Sequence, residues 1–258
     1  MVLVMFMDFQ YFKKVIHKRE NKEYLFPTLR ICRVTSGEFD WKIGEYTARI
    51  QCGDMVLLNN LLPRRIINQN ALRIEIEVFE FSPVYIRGRK QVAELFYRER
   101  PVIVASTHIN NLLCVIADAY GTVTNNSFFD HIFQAIFDLM ENDAQRLLSD
   151  RKCSTKVVEA VDFIWKHYCE DISVPDVAEY LHISKNHLEK LFKDMHGIGV
   201  GEYIRSIRVY KAISLLEKNN EDSVLDIAFA CGFNSSSGFY KAYKAVTGRN
   251  PRRNRKGS

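Results

Sequence analysis

Residues 176–197 read DVAEYLHISKNHLEKLFKDMHG, and residues 226–248 read DIAFACGFNSSSGFYKAYKAVTG. The two stretches are copies of one motif, because Asp176 aligns with Asp226 at an offset of 50 and, after one inserted residue, the rest aligns at 51. Each copy predicts a short apolar helix, a tight turn and a second helix with a Ser at its N-cap. This layout is typical of a helix-turn-helix, whose second helix enters a DNA major groove.

The basic charge of the chain is concentrated around this repeat. Residues 1–150 contain 18 Lys+Arg and 18 Asp+Glu, whereas residues 151–258 contain 18 and 13, so the net charge of +5 lies in the second half. Contacts with DNA phosphates need such a charge. Two alternatives stay open. One is a basic face that is only solvated, and the other is a helical solenoid, although solenoids generally need three or more units.

Length and composition indicate two globular domains in a reducing compartment. The chain has 258 residues, of which 47% are hydrophobic, and no two of its six Cys are spaced as C-x-x-C. Because there is no signal peptide pattern and no apolar run of about 18 residues, we expect a cytoplasmic protein. His182, His187 and His196 are spaced poorly for a metal, so neither a metal nor a cofactor is expected.

The N-terminal part is rich in short β-strands. β-branched and aromatic residues dominate six segments, which turns containing Gly, Asn and Asp separate. In the last segment Ile74, Ile76 and Val78 alternate with charged residues, which predicts one buried face. Short strands at this spacing favour a barrel or a jelly roll. The predicted strands are Leu29–Val34, Phe39–Ile43, Thr47–Ile50, Met55–Leu58, Arg64–Ile67 and Leu72–Phe81.

A turn inside this region resembles the pattern of cupin barrels. Gly53-Asp54 is followed by the apolar strand Met55–Leu58 and by Pro63, but Arg64 and Arg65 stand where metal-binding cupins have a His. Without two or three His and a carboxylate there are no ligands for iron, manganese or zinc. We therefore expect a ligand pocket or a scaffold, with both arginines as candidate partners of an anionic effector. The alternative is that both face solvent on an edge strand.

Two helices and a linker are predicted after the strands. The helices cover His108–Tyr120 and Ser127–Leu148, and the second carries an aromatic stripe. Either the barrel or a second subunit must cover that stripe. The polar stretch 149–154 is the predicted linker between a domain of residues 1–148 and one of residues 155–258. The candidate dimer-interface residues are Phe129, Ile132, Phe133, Ile136, Phe137 and Met140.

The C-terminal domain resembles the AraC/XylS family of bacterial transcription regulators over about residues 155–255. The second copy carries Ile227-Ala-Phe-Ala-Cys-Gly-Phe233, then Phe239-Tyr-Lys-Ala-Tyr-Lys244, then Gly248-x-x-Pro251 and Arg252. These residues match the most specific segment of the family. The fold class that we predict is α+β with two domains. A cupin-like barrel with helices precedes an all-α domain, in which a long helix at about residues 201–217 joins two helix-turn-helix motifs.

The resemblance also implies a function. It implies a nucleoid-associated regulator, more specifically an activator, that docks on double-stranded promoter DNA beside RNA polymerase. In that reading the barrel senses a small effector or mediates dimerisation. We also expect a homodimer and, because the His/Glu metal set is absent, no enzyme activity. Two other functions stay open. One is a cupin-type enzyme or small-molecule-binding protein with a fused helical domain, and the other is an interaction scaffold with basic helices.

Polar residues on the outward face of the second helix of each copy are the candidate DNA contacts. In the first copy Leu188 and Phe192 face inward, so Asn186 and Lys190 lie one turn apart on the outward face. Asn can bond adenine in two places, and Lys can donate to guanine. The candidate base-contacting residues are Asn186, Glu189, Lys190, Ser236, Ser237, Tyr240 and Lys241, and the candidate phosphate-contacting residues are Lys185, Lys193, Lys244 and Arg252.

Overall fold

The computed structural model of the chain describes residues 9–16, 27–43, 46–59, 64–69, 73–97, 102–104, 106–147, 155–218 and 222–251. The chain divides into two compact units, and the boundary between them in the sequence lies between Val158 and Glu159. The first unit contains strands and helices, and the second contains helices only. The predicted order, a strand-rich half before a helical half, is confirmed. The predicted linker 149–154 lies outside the described residues, so its place stays a prediction.

The strands of the first unit form two sheets in which all pairings are antiparallel. Within the described residues they are β1 (Phe9–Ile16), β2 (Leu29–Ser36), β3 (Glu38–Ile43), β4 (Tyr46–Gln51), β5 (Met55–Asn59), β6 (Arg64–Gln69), β7 (Ile74–Phe81) and β8 (Val102–Val104). The larger sheet has the order β1-β7-β2-β5-β8, and the smaller has the order β4-β3-β6. The six predicted strands are β2 to β7, whereas β1 and β8 were not predicted.

The two sheets share one apolar core, but they do not close into a barrel. Val34 and Ile76 of the larger sheet and Trp41 and Ile50 of the smaller sheet belong to that core. Among the described strands, none of one sheet pairs with a strand of the other, so the predicted barrel or jelly roll does not form as a closed barrel. The physical reason is that side-chain packing joins the sheets where a barrel needs continuous hydrogen bonding. This leaves β1 and β8, and β4 and β6, as edge strands.

Helices cover the other face of the larger sheet. They are α1 (Lys90–Phe96), α2 (Thr107–Ala119) and α3 (Asn126–Leu147). The ring of Phe133 on α3 lies 4.8 Å from that of Phe9 and 5.4 Å from that of Phe81, measured between centroids. Five of the six candidate dimer residues are buried within this unit, and Ile132 is half-buried. The chain itself therefore covers the aromatic stripe, and a second subunit would have to contact another side of α3.

A buried ion pair ties the larger sheet to α2. Arg33 Nε donates to Glu77 Oε2 at 2.7 Å, and Tyr11 Oη donates to Glu77 Oε1 at 2.9 Å. The same guanidinium reaches α2, where its Nη1 donates to Asn110 Oδ1 at 2.9 Å. Burial alone would raise the pKa of the Glu77 carboxyl, but the hydrogen bonds from Arg33 and Tyr11 outweigh it, so this pKa is lowered. The pair is charged at neutral pH and part of the packing.

The second unit is built from six helices in its described residues. They are α4 (Thr155–His167), α5 (Val174–Tyr180), α6 (Lys185–His196), α7 (Val200–Lys218), α8 (Val224–Ala230) and α9 (Ser236–Thr247). The predicted joining helix is α7. The helices of the described chain include none with the length and apolar character that a membrane crossing requires.

The two helix pairs of this unit are capped in the same way. The side chains of Ser184 and Ser235 each accept a hydrogen bond from the third N–H of the helix that follows, α6 or α9. Gly197 and Gly248 end these helices in the left-handed conformation, with φ of 72° and 69°. Both α5 and α8 begin with a Ser–Asp capping box. The repeat in the sequence is therefore also a repeat in the structure.

Candidate nucleic-acid interface

The first candidate recognition helix is α6, which is anchored along one side. Leu188 and Phe192 are fully buried, whereas Asn186, Lys190 and Lys193 are exposed. Lys185, the first residue of the helix, is exposed as well. The i, i+4 pair Asn186 and Lys190 thus stands on the free side with two further cations. This side can donate hydrogen bonds to base edges and to phosphates.

The second candidate recognition helix is α9. Phe239 and Tyr243 are fully buried at its inner side. The exposed side combines small polar side chains near the N-terminus with two cations further along. Its residues are Ser236, Ser237, Lys241 and Lys244. Tyr240 lies between the two sides, half-buried, with its ring 5.6 Å from that of Phe239. Only part of the Tyr240 side chain is therefore available to a ligand.

Some candidate residues lie elsewhere than the sequence predicted. Glu189 is half-buried and directed at the start of α7, since a Cβ placed on Gly199 would lie 2.6 Å from its Oε2. Its carboxylate is placed to stabilise the N-terminus of α7 rather than to face a ligand. Arg252 lies outside the described residues, as do the side chains of Arg64 and Arg65 on the edge strand β6. Within the described chain, no three His, Cys, Asp or Glu side chains are grouped to hold a metal ion.

A cluster of rings holds α6 against α7. His196, in the last turn of α6, lies 4.9 Å from Phe192 and 5.1 Å from Tyr203, measured between ring centroids. Trp165 Nε1 of α4 donates to the Tyr203 hydroxyl at 3.2 Å. Complete burial lowers the pKa of His196 to about 3. The imidazole is therefore neutral, and its neutral form is part of what positions α6.

Arg208 of α7 is a buried cation. Its Nε donates to the carbonyl oxygen of Tyr168 at 2.7 Å, and its Nη2 donates to that of Glu170 at 2.8 Å. One signal in the sequence could have revealed this, because Arg208 lies four residues after Ile204 and one after Ile207, within the apolar stripe of α7. Arg205 and Lys211 keep part of their surface exposed.

Comparisons of sequence relate this unit to helix-turn-helix proteins. A family model described as a helix-turn-helix domain matches residues 177–257. An uncharacterized HTH-type transcriptional regulator of Staphylococcus aureus is 32% identical over 111 residues, which are 43% of this chain and 14% of that protein. The Msm operon regulatory protein of Streptococcus mutans is 30% identical over 127 residues, which are 48% of this chain and 45% of that protein. The chain thus spans less than half the length of these relatives.

A comparison of structures extends over both units. ToxT from Vibrio cholerae matches 95% of this chain and 97% of its own chain, with a TM-score of 0.56 and 19% sequence identity. At that identity the likeness shows the fold alone, which is a two-domain fold of the ToxT kind. In the C-terminal unit the helix pair occurs twice with identical caps, and residues 177–257 match the helix-turn-helix model. The C-terminal unit therefore contains a helix-turn-helix domain of the AraC type.

Proposed function

We propose that this chain is a sequence-specific DNA-binding protein that activates transcription. The observation that carries the proposal is the pair of helices α6 and α9, each anchored by buried rings and each exposing cations on its free side. Selection of bound fragments from genomic DNA, followed by sequencing, tests it. One enriched sequence motif is the expected result, and uniform recovery of all fragments would contradict it.

The two recognition helices divide the work in this proposal. The first reads bases through Asn186 and Lys190, which can donate to adenine and guanine edges. The second carries Ser236 and Ser237, whose short side chains reach few base edges, so it contributes affinity and recognition of DNA shape. The joining helix α7 has 19 residues and is about 28 Å long. With the bodies of the two helix pairs added, this length suits two grooves about 34 Å apart on one face of the duplex.

The remaining parts of the proposal concern partners. We place the protein in the bacterial cytoplasm on the nucleoid, where it binds promoter DNA as a homodimer and contacts RNA polymerase. The AraC-type domain of the C-terminal unit supports this assignment. Because the aromatic stripe of α3 is buried, the subunit contact uses the less buried side of that helix, which includes Ile132 and Leu139.

The N-terminal unit is proposed to bind an anionic, largely apolar effector. Its fold supports this, since one ToxT structure is described as bound to an unsaturated fatty acid. We expect such a fatty acid to raise the thermal unfolding temperature of the intact chain, because a ligand that binds only the folded state stabilises it. The methyl ester of the same acid is the matched control, and it should have little effect if a cation holds the carboxylate. Equal shifts, or no shift below the micelle concentration, would contradict the proposal.

The exposed cations and the candidate base contacts are expected to respond differently to substitution. Lys193→Ala and Lys244→Ala should weaken binding to all sequences and reduce the salt slope by about one each, because each removes one phosphate contact. Asn186→Ala and Lys190→Ala should instead relax preference at particular base pairs, at a cost of about 1–3 kcal/mol. Titrations of labelled duplexes with single base changes, at several salt concentrations, measure both effects.

Lys166→Ala is the matched control for the lysine variants. Lys166 is exposed on α4, outside both recognition helices, and should leave affinity and salt slope near the parent values. If all four variants in the recognition helices bind every duplex as the parent does, the assignment of α6 and α9 to DNA grooves is wrong.

A further inference from the structure

The turns of the two helix pairs differ in ways that a contact between the pairs explains. In the first turn His182 has a positive φ of 52°, and the equivalent residue of the second turn is Gly232 with φ of 87°. A Cβ on Gly232 would lie 2.6 Å from the carbonyl oxygen of Tyr168 and 2.9 Å from Cα of Cys169. Glycine is therefore required in the second turn, because the loop between α4 and α5 (residues 168–173) packs directly on it.

The one residue by which the second copy is longer makes another contact with this loop. That inserted residue is Asn234, which immediately precedes the N-cap Ser235 of α9. Its Nδ2 donates to Asp171 Oδ1 at 2.8 Å. Asp171 lies two residues before Ser173, the N-cap of α5. One hydrogen bond thus connects the beginning of the first helix pair to the beginning of the second recognition helix.

Arg208 completes the attachment from the joining helix. Its two hydrogen bonds end on the carbonyl oxygens of Tyr168 and Glu170, within the same loop. A Cβ on Gly232 would also lie 3.0 Å from Arg208 Nε, so helix, loop and turn meet at one point. We call Asp171, Arg208, Gly232 and Asn234 the seam.

The seam restricts the movement of the two helix pairs relative to each other more than the joining helix alone does. The joining helix packs on α6 through Tyr203 and on α8 and α9 through Val209 and Leu216, so without a further contact the two modules can move relative to each other only as far as this one helix bends or twists. A second attachment, on the α4–α5 loop, fixes both the separation and the rotation of α9 relative to α6. We infer that the seam sets which spacing of two DNA half-sites the protein accepts, with Asp171 and Asn234 as specificity-determining positioning residues. This inference rests on the proposed function.

Spacing on a duplex is a sharp readout because distance and rotation change together. One added base pair moves a half-site by about 3.4 Å and turns it by roughly 35° about the duplex axis. A rigid pair of recognition helices should lose about tenfold in affinity when one base pair is inserted or removed between half-sites. A pair that is free to adjust should lose little.

The test uses the full chain and reverses the seam hydrogen bond. Asn234→Asp places two carboxylates at the seam, and their repulsion should open it. The double variant Asp171→Asn with Asn234→Asp exchanges donor and acceptor, restores the bond and keeps the net charge of the parent. Affinity is measured for the selected duplex and for duplexes with one base pair added or removed. A duplex with a single half-site is the control, and the ratio between parent and variant there gives the effect of charge alone.

We expect the parent to prefer its selected spacing by about tenfold, Asn234→Asp by about twofold or less, and the double variant by about tenfold again. An unchanged spacing preference in Asn234→Asp overturns the inference and leaves the proposed function intact. A double variant that stays at the single-variant value overturns it as well, since the loss would then come from Asp at 234. If the parent prefers no duplex sequence at all, the proposed function fails, and the inference fails with it.

Discussion

The Glu77→Ala variant is expected to lose about 3–5 kcal/mol of the free energy of unfolding of the N-terminal unit. Glu77 is almost fully buried and is the only carboxylate shown bonded to the Arg33 guanidinium among the described residues. Removing it leaves a cation in a site of low polarity and leaves the Tyr11 hydroxyl without its acceptor. The loss of stability comes from leaving the Arg33 guanidinium and the Tyr11 hydroxyl without this partner, and not from the strength of the ion pair itself.

The fluorescence of Trp41, which lies in the core between the sheets, measures this loss during urea unfolding. A Trp165→Phe background removes the signal of the other unit. Glu75→Ala is the matched control on the same strand. Glu75 pairs with Arg73 at the surface, so its loss should cost at most about 1 kcal/mol. Equal losses in the two variants would show that the Arg33–Glu77 pair is not the support that we describe.

The same carboxylate predicts part of the acid sensitivity of this unit. Because the pKa of Glu77 is lower in the folded than in the unfolded chain, the unfolded chain binds the proton more tightly. The stabilising contribution is thus complete above the unfolded pKa of about 4.5 and is lost as pH falls through the folded value. Stability of the variant should depend less steeply on pH in that window.

The second unit should lose stability at a much higher pH, because His196 is buried as the neutral imidazole. Its pKa is about 3 in the folded chain, compared with the ordinary 6.5. A lowered pKa contributes stability that is complete above 6.5 and is lost as pH falls. Between about pH 6 and pH 3 the folding equilibrium constant should therefore fall about tenfold for each pH unit from this group alone. Helix α6, which ends at His196, should unfold with it.

Trp165 fluorescence in a Trp41→Phe background isolates this effect, since Trp165 bonds the Tyr203 that packs on His196. His196→Phe keeps a ring between Phe192 and Tyr203 and should flatten the profile between pH 6 and pH 5. His187→Ala removes an exposed imidazole from the same helix and should retain the parent profile. A parent whose stability is constant across this range would contradict the assigned burial.

Local patterns predicted most of the fold, and elements that depend on distant partners were missed. Strands β2 to β7 are rich in β-branched and other apolar residues, β7 alternates them with charged ones, and the turns between the strands carry Gly, Asn or Asp. The missed strand β1 is interrupted by Lys13 and Lys14 and is defined by its pairing with β7. The missed strand β8 has three residues and is recognisable only beside β5. Strand patterns could not decide whether the barrel or jelly roll closes, because they specify a buried face without specifying which edges pair.

In the candidate interface, too, local patterns predicted some features, and those that depend on distant partners were missed. Helical periodicity placed Leu188 and Phe192 inside and Asn186 and Lys190 outside, as the structure does. It could not place Glu189, whose position depends on the close approach of Gly199. The contacts of Arg208 and the bond between Asp171 and Asn234 join residues 38 to 63 positions apart, and no local pattern predicts those.

The self-contained caps of the two helix pairs bear on how such a protein can change over evolutionary time. Each of α6 and α9 is started by its own Ser and stopped by its own Gly, while the packing of each rests on its inner side. The exposed side chains on the outer side of each helix contribute neither to these caps nor to this packing. Under the proposed function, new target sequences can therefore be acquired by exchanging a handful of surface residues on one helix, with the other helix and the scaffold left as they were.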